Sequence, residues 1–206
     1  MARSKSSAGW LNEHFNDSYV QKAQELGYRS RAAFKLLEIQ EKDKLIKPGM
    51  FVVDLGAAPG GWSQVARQFI GAEGKIVAAD ILPMDQLAQV DFIQGDFREQ
   101  ETLDSILNLL NNQSPDLVIS DMAPNISGVK SSDQAKGIYL VELAIDLADQ
   151  VLKPGGSLLM KVFQGQGFEG IIRDLRQKYH KVISRKPKAS RARSAEIYLL
   201  AKGLKK

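Results

Sequence analysis

Phe51 to Trp62, FVVDLGAAPGGW, limits what this chain can become more than any other stretch. Apolar residues around one carboxylate (Phe51, Val52, Val53, Asp54, Leu55) read as a buried strand, and Gly56 to Gly61 then turns the chain into an amphipathic helix. Strand, glycine turn and helix together form a cradle for a ligand. The glycines let backbone approach where a Cβ would collide, and the helix N-terminus that follows presents unpaired N–H groups. This stretch alone does not choose the ligand.

With 206 residues and 44% hydrophobic content, the chain has material for one ordinary α/β core and too little for two comfortable domains, so a single domain over 1–206 is expected. No apolar run reaches about 18 residues and no secretory leader pattern is present. A soluble, intracellular, cytoplasmic protein without membrane contact is the expectation. The absence of cysteine fits a reducing compartment and removes disulfides, thiolate metal sites and cysteine nucleophiles together. His14 and His180 lie far apart without metal-ligand spacing, so they read as solvated or structural and no metal is expected.

The net charge of +4 conceals a segregation: residues 1–47 carry 9 basic and 6 acidic side chains, 48–160 carry 6 and 15, and 161–206 carry 13 and 3. A basic periphery around an acidic centre points to a polyanion held by the ends and a cationic or hydroxyl-rich ligand held in the middle. A charge run is also commonly a solvated face. The segregation favours nucleic acid here.

In chain order, residues 1–9 read as a disordered basic arm and 10–47 as a helical extension. Within the extension, Asp17 to Leu26 is a helix ended by Gly27, and Ser30 can cap a second from Arg31 to about Gln40, with Phe34 and Leu37 on its inner face. After the first strand, further strands are expected at Lys75–Asp80, Asp91–Gln94, Asp116–Asp121 and Ser157–Phe163. Helices are expected at Glu99–Leu110, Ala135–Leu152 and Phe168–Lys178, and the chain closes with strands at Lys181–Arg185 and Glu196–Ala201 around a basic loop. This alternation implies a parallel sheet wrapped by helices.

The ligand can be narrowed by what the cradle lacks. A dinucleotide fingerprint needs glycine at its third position, but Gly56 is followed by Ala57 and Ala58. Acids also recur at or just after four successive strands: Asp54, Asp80, Asp96 and Asp121. Ligands of doubly wound sheets bind at those carboxyl ends, where four carboxylates would repel a pyrophosphate. They suit a ribose diol, an amino group and a sulfonium cation, which together describe S-adenosylmethionine. Asp80 is placed for the ribose hydroxyls and Asp96 for the adenine amino group. Each acid alone is more often a cap or turn residue, but four in register point to a ligand.

The methyl acceptor is narrowed by exclusion. Methylation at C5 of a pyrimidine normally needs a cysteine, and none exists; methylation of an exocyclic amine usually needs an aromatic clamp, and Asp121-Met122-Ala123-Pro124-Asn125 has none. What remains is Lys161 inside the apolar strand Leu158 to Phe163. Desolvation favours the neutral amine there, while a neighbouring carboxylate works the other way. Such a lysine could serve as general base toward a hydroxyl, or could simply snorkel to water at a strand end. Spacing leaves both open.

The stretch DLGAAPGGWSQ, Asp121 to Asn125 with Ser127-Gly128, Lys161-Val162-Phe163-Gln164-Gly165 and Ser190 to Glu196 resemble the FtsJ-type ribose 2′-O-methyltransferases, from about Trp10 to Gly203. With the Ser30 to Lys35 segment, the likeness is strongest to bacterial members that methylate a uridine ribose in large-subunit (23S) ribosomal RNA, late in ribosome assembly. It implies a Rossmann-like α/β fold with a mostly parallel seven-stranded sheet and helices on both faces. It also implies a Lys-Asp-Lys-Glu catalytic set matching Lys35, Asp121, Lys161 and Glu196. In that set Lys161 takes the 2′-hydroxyl proton, Asp121 orients it, and Lys35 and Glu196 position the ribose and tune the charges. Donor-binding positions map onto Gly60, Trp62, Asp80, Asp96 and Asp121. Without the resemblance, Lys35 passes as a solvated helix residue, Glu196 as a partner for Arg191 or Arg193, and Trp62 as a core aromatic.

The basic ends, including Lys5, Arg29, Arg31, Lys186, Lys188, Arg191 and Arg193, are expected to grip RNA phosphates in a salt-dependent way. The expected partner is ribosomal RNA within the large subunit, and the expected state a monomer. Two rival readings stand beside this one: an RNA-binding assembly protein without turnover, and a dinucleotide oxidoreductase, which Ala58 and the acids weaken.

Overall fold

Strands and helices alternate through most of the chain because apolar runs of four to seven residues are separated by amphipathic stretches. The structure is a computed structural model and describes residues 17–125, 127–191 and 194–206. The basic arm 1–9, the start of the extension at 10–16, His14 and Arg193 lie outside the described residues.

Two helices, α1 (Ser18–Glu25) and α2 (Ala33–Asp43), precede the sheet. Then follow β1 (Phe51–Leu55), α3 (Gly61–Ile70), β2 (Lys75–Asp80), β3 (Val90–Gln94), α4 (Gln100–Leu110) and β4 (Leu117–Ser120). The chain ends with α5 (Lys130–Val151), β5 (Ser157–Phe163), α6 (Phe168–Lys178), β6 (Tyr179–Arg185) and β7 (Glu196–Leu204). The strands form one seven-stranded sheet in the order β3-β2-β1-β4-β5-β7-β6. β1 to β5 run parallel, and β7 is antiparallel to both β5 and β6. This is the expected Rossmann-like sheet.

The period of two along each strand divides the core into layers. Val53 and Leu55 of β1, Leu158, Met160 and Val162 of β5, and Ile197 and Leu199 of β7 join the layer that holds the apolar stripes of α4, α5 and α6. Val52, Leu159 and Leu200 face the opposite layer, against Leu36 and Ile39 of α2 and Val65 and Ile70 of α3. α3 buries Trp62, Val65, Ala66 and Ile70, a helical stripe that pins the glycine turn to the sheet.

Some boundaries differ from the sequence reading. α2 begins at Ala33 and has no side-chain cap; the Ser30 carbonyl accepts from Ala33 N instead (3.2 Å). Its deepest residues are Leu36 and Ile39, while Phe34 packs into a small separate cluster with Ala23 and Ala189. α5 starts at Lys130, earlier than the expected Ala135, because Asp133 accepts from Ser127 N (2.8 Å) and Gly128 N (3.0 Å) and so secures the helix start.

Candidate active site

Strand parity assembles the site. Lys161 shares the face of Leu159 on β5, Asp121 follows β4 in phase with Leu117 and Ile119, and Glu196 and Tyr198 share the face of Leu200 on β7. All of them point toward α2. Because β7 is antiparallel, its first residues lie beside the last residues of β5: Lys161 pairs with Tyr198 and Phe163 with Glu196. Residues from three separate stretches therefore meet at the carboxyl edge of the sheet, and α2 brings Lys35 to the same place.

The distances show two linked ion pairs. Lys161 Nζ lies 3.0 Å from Asp121 Oδ1 and donates to the Asp121 carbonyl at 2.5 Å. Lys35 Nζ lies 2.8 Å from Glu196 Oε1. Lys35, which its helix alone gave as a solvated residue, is only 9% exposed, and Lys161 is 8% exposed. Lys161 thus does not snorkel to water. Two ammonium groups and two carboxylates balance, which a nearly dry site requires, since a lone buried charge is costly.

The electrostatics follow from that pairing. Burial pushes the Asp121 carboxyl up, but Lys161, Lys35 and the hydrogen bonds from Tyr198 and Lys161 outweigh it and hold it below the usual carboxylate range. Glu196 behaves likewise: burial raises it, and Lys35, Ser190 and Lys161 bring it below its ordinary value. Tyr198 was missed by the sequence reading. Its hydroxyl donates to Asp121 Oδ1 at 2.7 Å, and the residue is fully buried. Only the alternation along Glu196–Ala201, combined with the register to β5, could have placed it there.

Beside this quartet a cavity of about 450 Å³ opens across the carboxyl ends of β1 to β4, lined by Gly56, Asp80, Asp96, Asp121, Arg98 and Tyr139, among others. It lies at the switch point where strand order reverses between β1 and β4. Asp80, part of the cavity wall, is fixed by Ala58 N–H (2.9 Å) and Leu82 N–H (2.8 Å), one on each carboxylate oxygen. Asp96 is held by Arg98, whose Nε lies 2.9 Å from Oδ1 and whose Nη2 lies 2.5 Å from Oδ2; those hydrogen bonds keep its carboxyl below the usual range.

The other predicted residues are placed differently. Asp54, fourth of the expected row of acids, does not line the cavity: it is fully buried and accepts from Ser63 Oγ at 2.6 Å. The Trp62 ring is turned into the core, donating to Ala32 O at 2.9 Å, and neither it nor Gly60 is part of the cavity wall.

The predicted phosphate grips also divide. Arg29 donates to the carbonyls of Pro59 (3.3 Å), Asp85 (2.6 Å) and Gln86 (2.9 Å), tying the β2–β3 connection to the glycine turn. Arg31 pairs with Asp17 and donates to the Ala189 carbonyl. Within the fold these two guanidinium groups also serve as struts, a use that composition cannot reveal. Lys186 donates to the carbonyls of Ser194 (2.6 Å) and Glu196 (2.5 Å), Arg191 lies 3.9 Å from Asp17, and Lys188 is exposed. Among the described residues no cluster of His, Asp or Glu could hold a metal ion, and no helix is long and apolar enough to cross a membrane.

Residues 28–204 match the family model described as FtsJ-like methyltransferase. The chain belongs to this family. Across all of this chain and 99% of the relative, it is 60% identical to "Ribosomal RNA large subunit methyltransferase E" of Marinobacter nauticus, and it is 61% identical over the full length of both chains to the protein of the same name from Hydrogenovibrio crunogenus. Among solved structures, a ribosomal RNA methyltransferase from Plasmodium falciparum superposes with a TM-score of 0.75 at 30% identity, covering 86% of this chain and 98% of that one. As a member of the FtsJ-like methyltransferases, this chain is an enzyme, and its site is to be read as one that moves a methyl group.

Proposed function

We propose that this enzyme transfers a methyl group from S-adenosylmethionine to the ribose 2′-hydroxyl of a uridine in large-subunit (23S) ribosomal RNA, acting in the cytoplasm, as a single-domain monomer, late in ribosome assembly. The observation that carries the reading is Asp121. It lines the ligand cavity and also receives Lys161, so the group that orients the proton acceptor borders the place where a donor would sit. The relatives named as ribosomal RNA large subunit methyltransferases supply the polymer and the subunit.

The residues present fit the donor. Asp80 and Asp96 line the cavity with acceptors suited to a ribose diol and an amino group, and the acidic edge favours a cation. Gly60 and Trp62 shape the turn beneath. S-adenosylmethionine, when bound, supplies a methyl group on a sulfonium sulfur. Lys161 Nζ would accept the 2′-hydroxyl proton as that oxygen takes the methyl group the donor supplies. The Asp121 carboxylate and carbonyl fix the direction of Nζ, and Lys35, held by Glu196, positions the ribose. The rest of the acceleration comes from holding oxygen, carbon and sulfur in line. The 2′-hydroxyl also makes the reaction specific to RNA. Lys186, Lys188 and Arg191, from the basic loop between β6 and β7, contact phosphates.

The test is transfer of labelled methyl to unmodified large subunits and to free ribosomal RNA, followed by alkaline hydrolysis. A methylated 2′-oxygen blocks cleavage of its neighbouring linkage, so the label should appear in alkali-stable dinucleotides. Label released as mononucleotide, or no transfer to either substrate, overturns the proposal.

The glycine turn yields a separate expectation. Gly56 has φ +74°, and a Cβ there would lie 2.7 Å from Met122 Cγ and 3.0 Å from the Met122 backbone, next to Asp121. Gly56→Ala should therefore weaken donor binding by about 10-fold or more, read by calorimetric titration, because the strain and the displaced Met122 together cost over 1 kcal/mol.

A further inference from the structure

Tyr198, which the sequence did not single out, touches members of both ion pairs. Its hydroxyl donates to Asp121 Oδ1 at 2.7 Å, the same oxygen that Lys161 Nζ reaches at 3.0 Å. Its ring lies beneath the Lys35 ammonium, 5.6 Å from Nζ to centroid, and packs on Trp62 at 5.6 Å between centroids. Its backbone pairs with that of Lys161. One buried side chain thus connects both ion pairs to the helix that follows the glycine turn.

We infer that Tyr198 is a positioning residue for methyl transfer, keeping the Asp121 carboxylate ionised and oriented during the part of the cycle in which Lys161 is neutral. The inference rests on the methyl-transfer reading above. While Lys161 is charged, Oδ1 has a cationic donor and a neutral one. To accept the 2′-hydroxyl proton, Lys161 must first be without its charge, and a neutral amine is a much weaker donor to a carboxylate. The Tyr198 hydroxyl then carries the interaction. It remains protonated, because burial, Asp121 and Glu196 push it well above the usual tyrosine range. The charged groups facing this pair are Lys161 from β5, Lys35 from α2, Glu196 from β7 and Arg31 before α2, and Asp54 of β1 lies close enough to Asp121 for the two carboxylates to repel.

Tyr198→Phe removes the hydroxyl and keeps the ring under Lys35 and against Trp62. Asp121 is then left with Lys161 as its near donor, so the carboxylate favours the charged lysine more strongly. The expected result is a kcat about 10-fold lower at neutral pH, with the acid limb of the kcat profile moved to higher pH. KM for RNA and the Kd of S-adenosylmethionine should stay within about twofold, since the hydroxyl is buried against Asp121 and Tyr198 is not part of the cavity wall.

The same substitution in a Lys161→Met background separates positioning from general loosening. If Tyr198 acts through the Asp121–Lys161 pair, Tyr198→Phe has no further effect on the residual rate there. An equal fall in both backgrounds, or an unchanged acid limb in an otherwise active wild type, overturns the inference and leaves the methyl-transfer reading standing. A wild-type enzyme that labels no RNA removes the reading and the inference together.

Discussion

Lys161→Met should lower the single-turnover rate of methyl transfer by about 10²- to 10⁴-fold while leaving S-adenosylmethionine binding near that of the wild type, the range removed when a positioned general base is lost. Methionine keeps the hydrocarbon stem between Met160 and Val162 and deletes only the ammonium, so packing along β5 is preserved. Asp121 then loses its nearest cation. It retains the Tyr198 hydroxyl and the field of Lys35, so the stability cost should be about 1–3 kcal/mol, below that of a fully stranded buried charge. A rate that survives the substitution would move proton acceptance elsewhere, and a large loss of donor binding would make Lys161 a structural strut. Single-turnover chemistry, donor titration and a urea melt on one preparation distinguish these results.

The architecture was legible where the chain obeys one period. β1, β2, β5 and α6 have the bounds expected from the sequence, because each is a clear apolar run or helical stripe flanked by turn residues. The start of α5 was hidden because Lys130 to Gln134 is polar and shows no apolar stripe; the signal was Asp133, which serves the backbone of Ser127 and Gly128. β7 runs on to Leu204, past the expected end at Ala201, since the pairing of Tyr179 with Leu204 extends the ladder beyond the alternating segment.

The site was legible unevenly, and the difference is between local and non-local information. Lys161 betrays itself by sitting in hydrocarbon, and Asp121 by ending an apolar strand. Lys35 looks like any exposed helix lysine until β7 is laid antiparallel to β5 and Glu196 arrives 2.8 Å away. Family resemblance named that pair; geometry shows why it forms. Arg29 and Arg31 add a second case of non-local information. Their charge suggested phosphate contacts, and the backbone carbonyls they also satisfy belong to residues 30 to 158 positions away, which no local pattern can reveal.

Asp54 was grouped with the ligand-facing acids because it lies near the end of the first strand, yet its burial gives it a pH effect on stability instead. Burial, which Ser63 offsets in part, and repulsion from Asp121 and Asp80 raise its carboxyl from 3.8 to about 7. Its Oδ1 has no hydrogen-bond partner, so nothing compensates the ionised form at that atom. Between those two values the folded chain binds a proton that the unfolded chain has released. The contribution of Asp54 to stability therefore falls as pH rises through this window and is lowest above pH 7. Asp121 and Glu196, whose values are lowered, act with the opposite sign and only in acid. Asp54→Asn keeps an acceptor for Ser63 and removes the titration. Relative to wild type, the variant should gain about 2–3 kcal/mol between pH 5 and pH 8, measured as the change in unfolding free energy from urea melts at each pH. Parallel stability curves across that range would show that Asp54 does not change its charge there.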